Sequence, residues 1–361
     1  MPERLTVAVT GASGLIGGRL MEWLVLRDMA SVRPIVRSFG GMARLARFDL
    51  DCRLANATEE IGLSGQLDGC DVLFNCVVGD AKTVLRNATA SYLAARRAGV
   101  KRLVYLSSAV VHAQNPAQGT DDESRLIGRQ PFKYNVSKVL AEKALRRLRR
   151  DGAPEVVVLR PSIVFGPRSL WWTSRIASDI VSGRAYLVDD GAGVCNTVYV
   201  DNLVQAMWLA AVAPQAANQD FLVTDGIRIS WRKLYESLAR AVGTDGASIP
   251  CVPRDEARTF LSREKRKRRL ETLHQIARAG SMVMGHLVPE TTKERLSSRL
   301  QSAIQSAEVP FPLRSELVSL QMCQYQLPIA KAERVLGYRP AVGFDEACRR
   351  TEAWLQFSMG R

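Results

Sequence analysis

The chain opens with the stretch that decides its fold, Leu5-Thr-Val-Ala-Val-Thr-Gly-Ala-Ser-Gly-Leu-Ile-Gly17. An apolar run up to Val9 predicts a buried strand, and Gly11, Gly14 and Gly17 follow it at once. A helical pattern of apolar residues begins directly after these glycines. In this context the spacing indicates a dinucleotide site, because glycine allows a tight turn and a helix N-terminus attracts a pyrophosphate.

Length and composition limit the class of protein. The 361 residues leave room for one large domain or two closely packed ones. Seven cysteines without a Cys-x-x-Cys pair and three scattered histidines disfavour a zinc site and indicate free thiols in a reducing cytoplasm. No apolar run reaches the roughly 18 residues of a membrane span, and the early first strand disfavours a signal peptide. We therefore expect a cytoplasmic protein without a metal, and its net charge of +14 favours anionic ligands or surfaces.

The second predicted strand, Val32–Ser38, ends in a cation and has no acid nearby. An NAD site places a carboxylate near the end of this strand to bind the ribose, whereas an arginine there accommodates the 2′-phosphate of NADP. Arg37, followed by Ser38, can offer a forked donor to phosphate and a flat face to adenine. The pattern favours NADP(H) as the cofactor and leaves NAD(H) open. The plainer alternative is that Arg37 is a solvated surface arginine without a role in cofactor binding.

The rest of the N-terminal half alternates strands with helices. Asp71–Val78 and Lys101–Ser108 are predicted strands, residues 83–98 form a predicted helix between them, and Asn56 and Ala57 belong to a loop on the adenine side. Such alternation predicts an α/β protein with a doubly wound parallel sheet, the Rossmann arrangement.

A second chemical motif, Tyr134-Asn-Val-Ser-Lys138, opens a predicted helix after a polar loop over residues 113–123. Tyr134 and Lys138 are four residues apart and therefore share one helix face. A free tyrosine has a pKa of about 10, and a neighbouring ammonium lowers it toward the range that acid–base catalysis requires. Isolated Tyr-x-x-x-Lys pairs are common, so this one gains its meaning from the glycine turn and from the Ser107-Ser108 strand end.

Together these segments resemble the extended short-chain dehydrogenases/reductases, which include sugar-nucleotide epimerases, dihydroflavonol reductases and 3β-hydroxysteroid dehydrogenases. The matching segments are Thr10–Gly17, Lys101–Ser108, Tyr134–Lys138, Val158–Pro167, Thr197–Leu203 and Ala332–Pro340. Only about residues 250–325 fall outside the pattern. The resemblance implies a Rossmann fold and NAD(P)-dependent chemistry of the epimerase/dehydratase-like kind, and it says little about the substrate.

The resemblance also implies roles for individual residues. Tyr134 would be the acid–base, and Lys138 would lower its pKa and bind the nicotinamide ribose. Ser108, rather than Ser107, would hold the substrate oxygen, and Arg160 would lie beside the nicotinamide. The residues implied in cofactor binding are Gly11, Ser13, Gly14, Leu15, Ile16, Gly17, Arg37, Ser38, Asn56, Ala57, Val77, Tyr134, Lys138, Pro161 and Ser162.

Departures from the family pattern bear on the substrate. Sugar-nucleotide dehydratases resemble one another in an acidic pair after the catalytic serine or threonine, where this chain has Ala109-Val110. Many epimerases have an arginine that grips the diphosphate where this chain has Cys195, and a thiol cannot replace a bidentate cation. These differences favour an NADP(H)-dependent reductase or dehydrogenase of a small hydroxy or keto compound. The arginines that keep an NAD-dependent sugar-nucleotide epimerase open are Arg168, Arg175 and Arg184. A non-catalytic NADP-binding protein is a more distant alternative.

The predicted organisation has two interleaved parts. We expect residues 1–165 and 190–226 to form the dinucleotide-binding domain, and residues 166–189 and 227–361 to form a smaller, mostly helical substrate-binding region. Residues 255–308 are predicted to be a helical insertion within that region. Because relatives often pair through the helix that bears the tyrosine, a homodimer is also expected.

Two further segments allow more than one interpretation. In the insertion, Lys265-Arg-Lys-Arg-Arg269 precedes the apolar Met282–Val288, which could contact an acidic membrane surface or cover the cleft. A solvated charged helix face is the plainer interpretation, and five cations without interleaved aromatics do not indicate nucleic-acid binding. Trp171 and Trp172 would form either an aromatic wall for the substrate or part of the packing.

Overall fold

The computed structural model describes residues 4–149, 153–283 and 313–360. The strands in these ranges are β1 (Thr6–Thr10), β2 (Ser31–Val36), β3 (Arg53–Leu54), β4 (Val72–Asn75), β5 (Arg102–Leu106), β6 (Glu155–Pro161), β7 (Ile163–Phe165), β8 (Leu187–Val188), β9 (Thr197–Tyr199), β10 (Asp220–Val223) and β11 (Cys251–Val252). The α-helices are α1 (Leu15–Leu26), α2 (Phe39–Ala43), α3 (Glu60–Ser64), α4 (Ala81–Arg97), α5 (Lys133–Leu148), α6 (Arg175–Val181), α7 (Val200–Val212), α8 (Trp231–Ala241), α9 (Arg254–Val283), α10 (Ser315–Gln321), α11 (Ala330–Leu336) and α12 (Phe344–Ser358).

The central sheet is parallel throughout and has the order β10-β6-β5-β4-β1-β2-β3 within the described ranges. The chain winds outward from β1 to β3 and then returns to β4 on the other side of β1. At such a reversal the connections diverge and leave a crevice beyond the carboxyl ends of β1 and β4. The topology therefore predicts a ligand site beyond Thr10 and Asn75, the last residues of these two strands.

The predicted doubly wound α/β fold is confirmed, and the element bounds shift only slightly. The strand predicted over Lys101–Ser108 spans Arg102–Leu106, and the helix predicted over residues 83–98 spans Ala81–Arg97. The two-residue β3 was not predicted, because both of its side chains are exposed and leave no apolar pattern to detect.

Helices bury both faces of the sheet. On one face α1 and α7 pack through side chains such as Leu20 and Leu203 against the apolar residues of the inner strands. On the other face α4 and α5 contribute Tyr92 and Leu145 to a second core. Because both faces are covered, the inner strands are buried along their length, as in β4, where three apolar residues are followed by the buried Asn75.

The segments that follow β6 build a third core of their own around Trp231, which is fully buried. Two small parallel sheets, β7 with β9 and β8 with β11, belong to this region. The predicted insertion over 255–308 starts with α9, and its part over residues 284–312 lies outside the described residues. Among the described helices none is both long and apolar enough to cross a membrane.

Candidate active site

The glycine turn after β1 packs the strand and the helix closely together. Gly11 has a φ of +70°, and a Cβ there would lie 2.7 Å from the carbonyl oxygen of Cys76, at the end of the neighbouring strand β4. A Cβ on Gly17 would lie 2.4 Å from the carbonyl oxygen of Gly11. Real side chains do not fit at these separations, so the backbone of the turn requires glycine at both positions.

The N-terminus of α1 is open to a ligand. Gly14 caps the helix without a side chain, and the first turn contains no acidic residue. The first N–H groups of a helix have no intrahelical partner, and the helix dipole adds a partial positive charge there. Ser13, Gly14, Leu15 and Ile16 line a large cleft at this point. These groups form a binding site for an anion such as a pyrophosphate.

One cleft of about 1200 Å³ contains most of the predicted site. The predicted residues that line it are Ser13, Gly14, Leu15, Ile16, Val77, Ser108, Tyr134, Lys138, Pro161 and Ser162. Gly11 and Gly17 shape the turn beneath it. The fold therefore brings together the glycine turn and the Tyr-x-x-x-Lys motif, which are more than a hundred residues apart in the sequence.

The four residues predicted for the adenosine end lie outside the walls of this cleft. Arg37 and Ser38 follow β2 and are exposed, and Asn56 and Ala57 follow the neighbouring β3. The side chain of Asn56 bonds within its own loop, accepting from the backbone N–H of Thr58 at 3.1 Å. Their part in cofactor binding stays a prediction.

Sequence reasoning missed Arg44, which does line the cleft. Its Nη1 donates to the carbonyl oxygen of Ser13 at 3.3 Å, next to the glycine turn. In the described part of the chain neither Arg44 nor Arg37 forms an ion pair with a carboxylate. The sequence does show a second cation shortly after Arg37. Residues 39–47 lack a clear periodicity, however, so the sequence did not predict that Arg44 lines the cleft.

Tyr134 and Lys138 lie in the first two turns of α5 and face the cleft. The Nζ of Lys138 is 5.8 Å from the centre of the Tyr134 ring and donates a hydrogen bond of 2.7 Å to the carbonyl oxygen of Leu106. Lys138 is only 3% exposed, so its ammonium is held between the end of β5 and the Tyr134 ring. This arrangement gives the tyrosine a fixed positive charge one helical turn away.

The protonation of these two groups is set mainly by burial. Burial and, to a smaller extent, the carboxylate of Glu316 together raise the pKa of Tyr134 to about 12. Burial lowers the pKa of Lys138 to about 8, against the opposing effects of Glu142 and Cys76. Lys138 was expected to lower the pKa of Tyr134, but in the protein alone the pKa of Tyr134 is raised. The apolar walls outweigh an ammonium that is bonded to a backbone carbonyl, and the phenol is a proton donor at neutral pH.

The two serines after β5 differ in what their hydroxyls contact. Ser107 Oγ donates to Glu142 Oε1 at 2.5 Å inside the protein. Ser108 Oγ accepts only a long bond of 3.4 Å from the N–H of Val110. Ser108 is half-buried at the cleft, so its hydroxyl is free to donate to a ligand oxygen there.

The prediction that Arg160 lies beside the nicotinamide is wrong. Neighbouring residues of a strand point to opposite faces, so Pro161 lines the cleft while Arg160 points away from it. Arg160 is fully buried, and its Nη2 contacts Glu142 at 2.8 Å and Asp220 at 2.9 Å. Its role is to neutralise two buried carboxylates beneath the site.

The substrate end of the cleft is mostly apolar. Trp171 is 66% exposed at its rim, on a π-helical turn over Leu170–Ser174, whereas Trp172 packs against Trp231 with ring centres 6.2 Å apart. Both tryptophans line the cleft, and Trp172 in addition takes part in the packing. Cys195 is fully buried and lies outside the cleft walls.

The residues present fit a nicotinamide dinucleotide. The glycine cradle and the open helix N-terminus suit its pyrophosphate. Ser162 lines the cleft, and its buried Oγ has no hydrogen-bond partner among the described residues, as expected of a group that binds a carboxamide. Within those residues no cluster of His, Cys, Asp and Glu side chains could hold a metal ion.

Comparison with known proteins agrees with the fold. The chain matches the NAD dependent epimerase/dehydratase family over residues 7–223 and belongs to that family. Its members include reductases, epimerases and dehydratases, so the chain is an NAD(P)-dependent oxidoreductase of an enzymatic family.

Individual relatives differ in their reactions. A 4-hydroxy-2-methyl-3-oxo-4-farnesyl-3,4-dihydroquinoline-1-oxide ketoreductase of Stigmatella aurantiaca is 29% identical over 69% of this chain and 77% of that protein. A UDP-glucose 4-epimerase of Vibrio cholerae is 28% identical over 69% of this chain and 79% of that protein. A dTDP-glucose 4,6-dehydratase of Streptomyces venezuelae, solved with NAD and TYD bound, has a TM-score of 0.70 at 19% identity and covers 99% of this chain and 98% of that one.

Proposed function

We propose that the protein is an NADP(H)-dependent reductase that interconverts a ketone and a secondary alcohol, with Ser108, Tyr134 and Lys138 as its catalytic residues. The observation that carries the proposal is their convergence with the glycine turn in one cleft. A binding protein without catalysis would not need a protonated phenol and a buried ammonium beside each other, since both are costly to bury.

The chain's own groups account for the acid–base part of the reaction. When bound, a reduced nicotinamide supplies a hydride to the carbonyl carbon. Ser108 and Tyr134 donate hydrogen bonds to the carbonyl oxygen, where negative charge develops. Tyr134 then transfers its proton to the alkoxide, which its pKa of about 12 allows because the phenol is protonated beforehand. The ammonium of Lys138 stabilises the phenolate that remains until solvent returns a proton.

Two cations support NADP(H) over NAD(H). Arg37 stands at the end of β2, and Arg44 reaches the glycine turn from the segment that follows. Both are free of carboxylate partners in the described ranges, so a 2′-phosphate would gain charge-assisted hydrogen bonds without breaking existing ion pairs. Arg37→Ala and Arg44→Ala should each weaken NADPH binding by about tenfold or more and leave NADH binding within about twofold. Arg86→Ala, an exposed arginine on α4, is the control, and equal losses for both cofactors would contradict this preference.

The contacts of the arginines that could bind a diphosphate favour a reductase over a sugar-nucleotide epimerase. Arg184 and Arg175 lie 3.6 and 3.9 Å from Asp179, so this carboxylate already partly neutralises their charges. Arg168 lines the cleft, and the fully buried Cys195 offers no cation for a diphosphate. The ketoreductase relative also acts, by its name, on a carbonyl compound with a lipophilic farnesyl group. The epimerase reaction stays the second candidate because of Arg168 and of the epimerase relative.

Oxidation of NADPH in the presence of a neutral ketone tests the proposed function. Tyr134→Phe should lower kcat at least a hundredfold while NADPH binding stays near that of the wild type. The two serines form a matched pair: Ser108→Ala should lower kcat, whereas Ser107→Ala should act on stability through Glu142. Full activity of Tyr134→Phe or of Ser108→Ala would contradict the assignment.

The remaining expectations concern organisation and location. We propose that residues 166–189 and 227–361 bind the substrate while the other predicted part, 1–165 and 190–226, binds the cofactor. A homodimer through α5 is supported by Leu140, an apolar residue of that helix that is 45% exposed. Cytoplasmic location and peripheral membrane contact stay predictions.

A further inference from the structure

Two polar side chains form a hydrogen-bonded pair at the substrate end of the cleft. Gln114 Nε2 donates to Glu316 Oε1 at 2.8 Å, and both residues line the cleft with Tyr134. A carboxylate can only accept hydrogen bonds, so the amide nitrogen must be the atom that contacts it, and Gln114 Oε1 is left as an acceptor. Gln114 is 6% exposed, and this oxygen has no partner among the described residues. A buried acceptor without a donor costs about 1–3 kcal/mol unless a ligand satisfies it.

Glu316 brings a negative charge to the same place. Within residues 4–149, 153–283 and 313–360 its carboxylate has no cationic partner, and its hydrogen bond comes from a neutral amide. The charge acts on Tyr134, whose pKa it raises in addition to the effect of burial. A carboxylate in this position attracts a hydrogen-bond donor and repels an anion.

The helix that bears Glu316 is held firmly. Gln321, at the other end of α10, is fully buried and accepts from the N–H of Val188 at 2.6 Å while donating to the carbonyl oxygen of Tyr186 at 3.1 Å. At the start of α10, Arg268 of α9 donates to Ser315 Oγ at 2.7 Å. Because both ends are anchored, Glu316 keeps its place relative to the catalytic residues.

On the other side of the pair, Gln114 follows a residue with an unfavourable backbone conformation. Ala113 lines the cleft with a φ of +81° and a ψ of 168°, a region that residues other than glycine rarely adopt and that costs about 1–3 kcal/mol. Apolar residues such as Leu320 and Leu327 line the same cleft, where Gln114 is buried and the side chain of Glu316 is exposed. Two hydrogen-bond acceptors in a cleft with apolar side chains suit a substrate that is apolar except for one hydrogen-bond donor.

We propose that Gln114 and Glu316 form a specificity site that binds one O–H or N–H donor of the substrate close to the carbonyl that is reduced, and that excludes substrates with a carboxylate or diphosphate there. The inference rests on the proposed function for the identity of the reacting carbonyl. It goes beyond that function by defining the charge and hydrogen-bonding character of the substrate.

Three probes that differ at one group test the site. N-ethyl-3-oxohexanamide offers an N–H donor, ethyl 3-oxohexanoate has oxygen in its place, and 3-oxohexanoate carries a carboxylate. Binding is measured by quenching of tryptophan fluorescence with NADP⁺ present, which prevents reduction, and turnover is measured separately with NADPH. The variants are Glu316→Gln and Gln114→Met, with Glu333→Gln, an exposed glutamate of α11, as the matched control.

The wild type should bind the amide at least tenfold more tightly than the ester, and the ester at least tenfold more tightly than the carboxylate. Glu316→Gln should remove most of the discrimination against the carboxylate, Gln114→Met should remove most of the preference for the amide, and Glu333→Gln should change neither. Turnover without these preferences, or failure of all three probes to bind, would overturn the specificity site. Binding with the preferences but without turnover would support the site and contradict the reductase function instead.

Discussion

Replacing Lys138 by methionine separates the function of this residue from its effect on stability. In the folded protein burial lowers the pKa of Lys138 from the ordinary 10.5 to about 8. The difference of about 2.5 corresponds to a cost of about 3 kcal/mol for keeping the ammonium charged at pH 7. Methionine removes that cost and also the hydrogen bond to Leu106, which is worth about 1–3 kcal/mol because the carbonyl loses its partner. The Lys138→Met protein should therefore be inactive and yet as stable as the wild type, or up to about 2 kcal/mol more stable, at pH 7.

The pH dependence gives the sharper result. Between about pH 8 and pH 10.5 the unfolded chain holds a proton on Lys138 that the folded chain has released, so the unfolding free energy of the wild type rises with pH in this window. Lys138→Met lacks this contribution, whereas the other titrations occur in both proteins. The wild type should gain about 2 kcal/mol relative to Lys138→Met between pH 7 and pH 9.5.

Urea unfolding followed by circular dichroism at several pH values measures both quantities. Lys143→Met, which removes an exposed lysine of the same helix, should follow the wild-type curve at every pH. A Lys138→Met protein that is several kcal/mol less stable than the wild type at pH 7 would refute the reasoning. So would a stability difference that is the same at pH 7 and pH 9.5.

Two further changes test the support of the site. Arg160→Met leaves the fully buried Glu142 with only the more distant Arg146, 3.9 Å away, and should lower the unfolding free energy in urea by about 3–5 kcal/mol. A loss below about 1 kcal/mol would show that the network is not stabilised as described. Gly17→Ala places a Cβ 2.4 Å from the Gly11 carbonyl oxygen and should cost about 1–3 kcal/mol of stability as well as NADPH binding. Gly14→Ala, whose Cβ would lie 3.2 Å from the same oxygen, should fold nearly normally and lose mainly NADPH binding. Thermal unfolding measured at increasing NADPH concentrations reports both the stability and the binding of each variant. Similar stability losses for both alanine variants would contradict the geometry.

Local patterns predicted the fold and the centre of the site because each motif carries its own physical requirement. The glycines after β1 are dictated by contacts within the turn and with the next strand, and the four-residue spacing of Tyr134 and Lys138 is a property of one helix. The direction of the tyrosine pKa could not be predicted this way. It depends on burial by distant segments and on Glu316, which lies 182 positions further along the chain.

Other features depend on tertiary contacts that a sequence pattern does not contain. Arg160 was expected at the cleft because the family resemblance implies that it lies beside the nicotinamide, but strand alternation turns it toward Glu142 and Asp220. The pair formed by Gln114 and Glu316 joins a loop to a helix more than 200 residues away, and neither residue belongs to a recognisable motif. The sequence predicts which residues meet in the cleft better than it predicts the contacts that surround them.

The central claim is that the cleft reduces a carbonyl at the expense of NADPH and releases both products. Incubation with NADPH deuterated at C4 and a neutral ketone, followed by mass spectrometry, tests this directly. We expect one deuterium on the carbinol carbon of the alcohol product from one of the two C4 positions, one NADP⁺ released per alcohol, and no transfer by Tyr134→Phe. Deuterium that stays on the nicotinamide, or a cofactor that stays bound and ends each cycle in the oxidation state in which it began, would contradict the account and favour an epimerase.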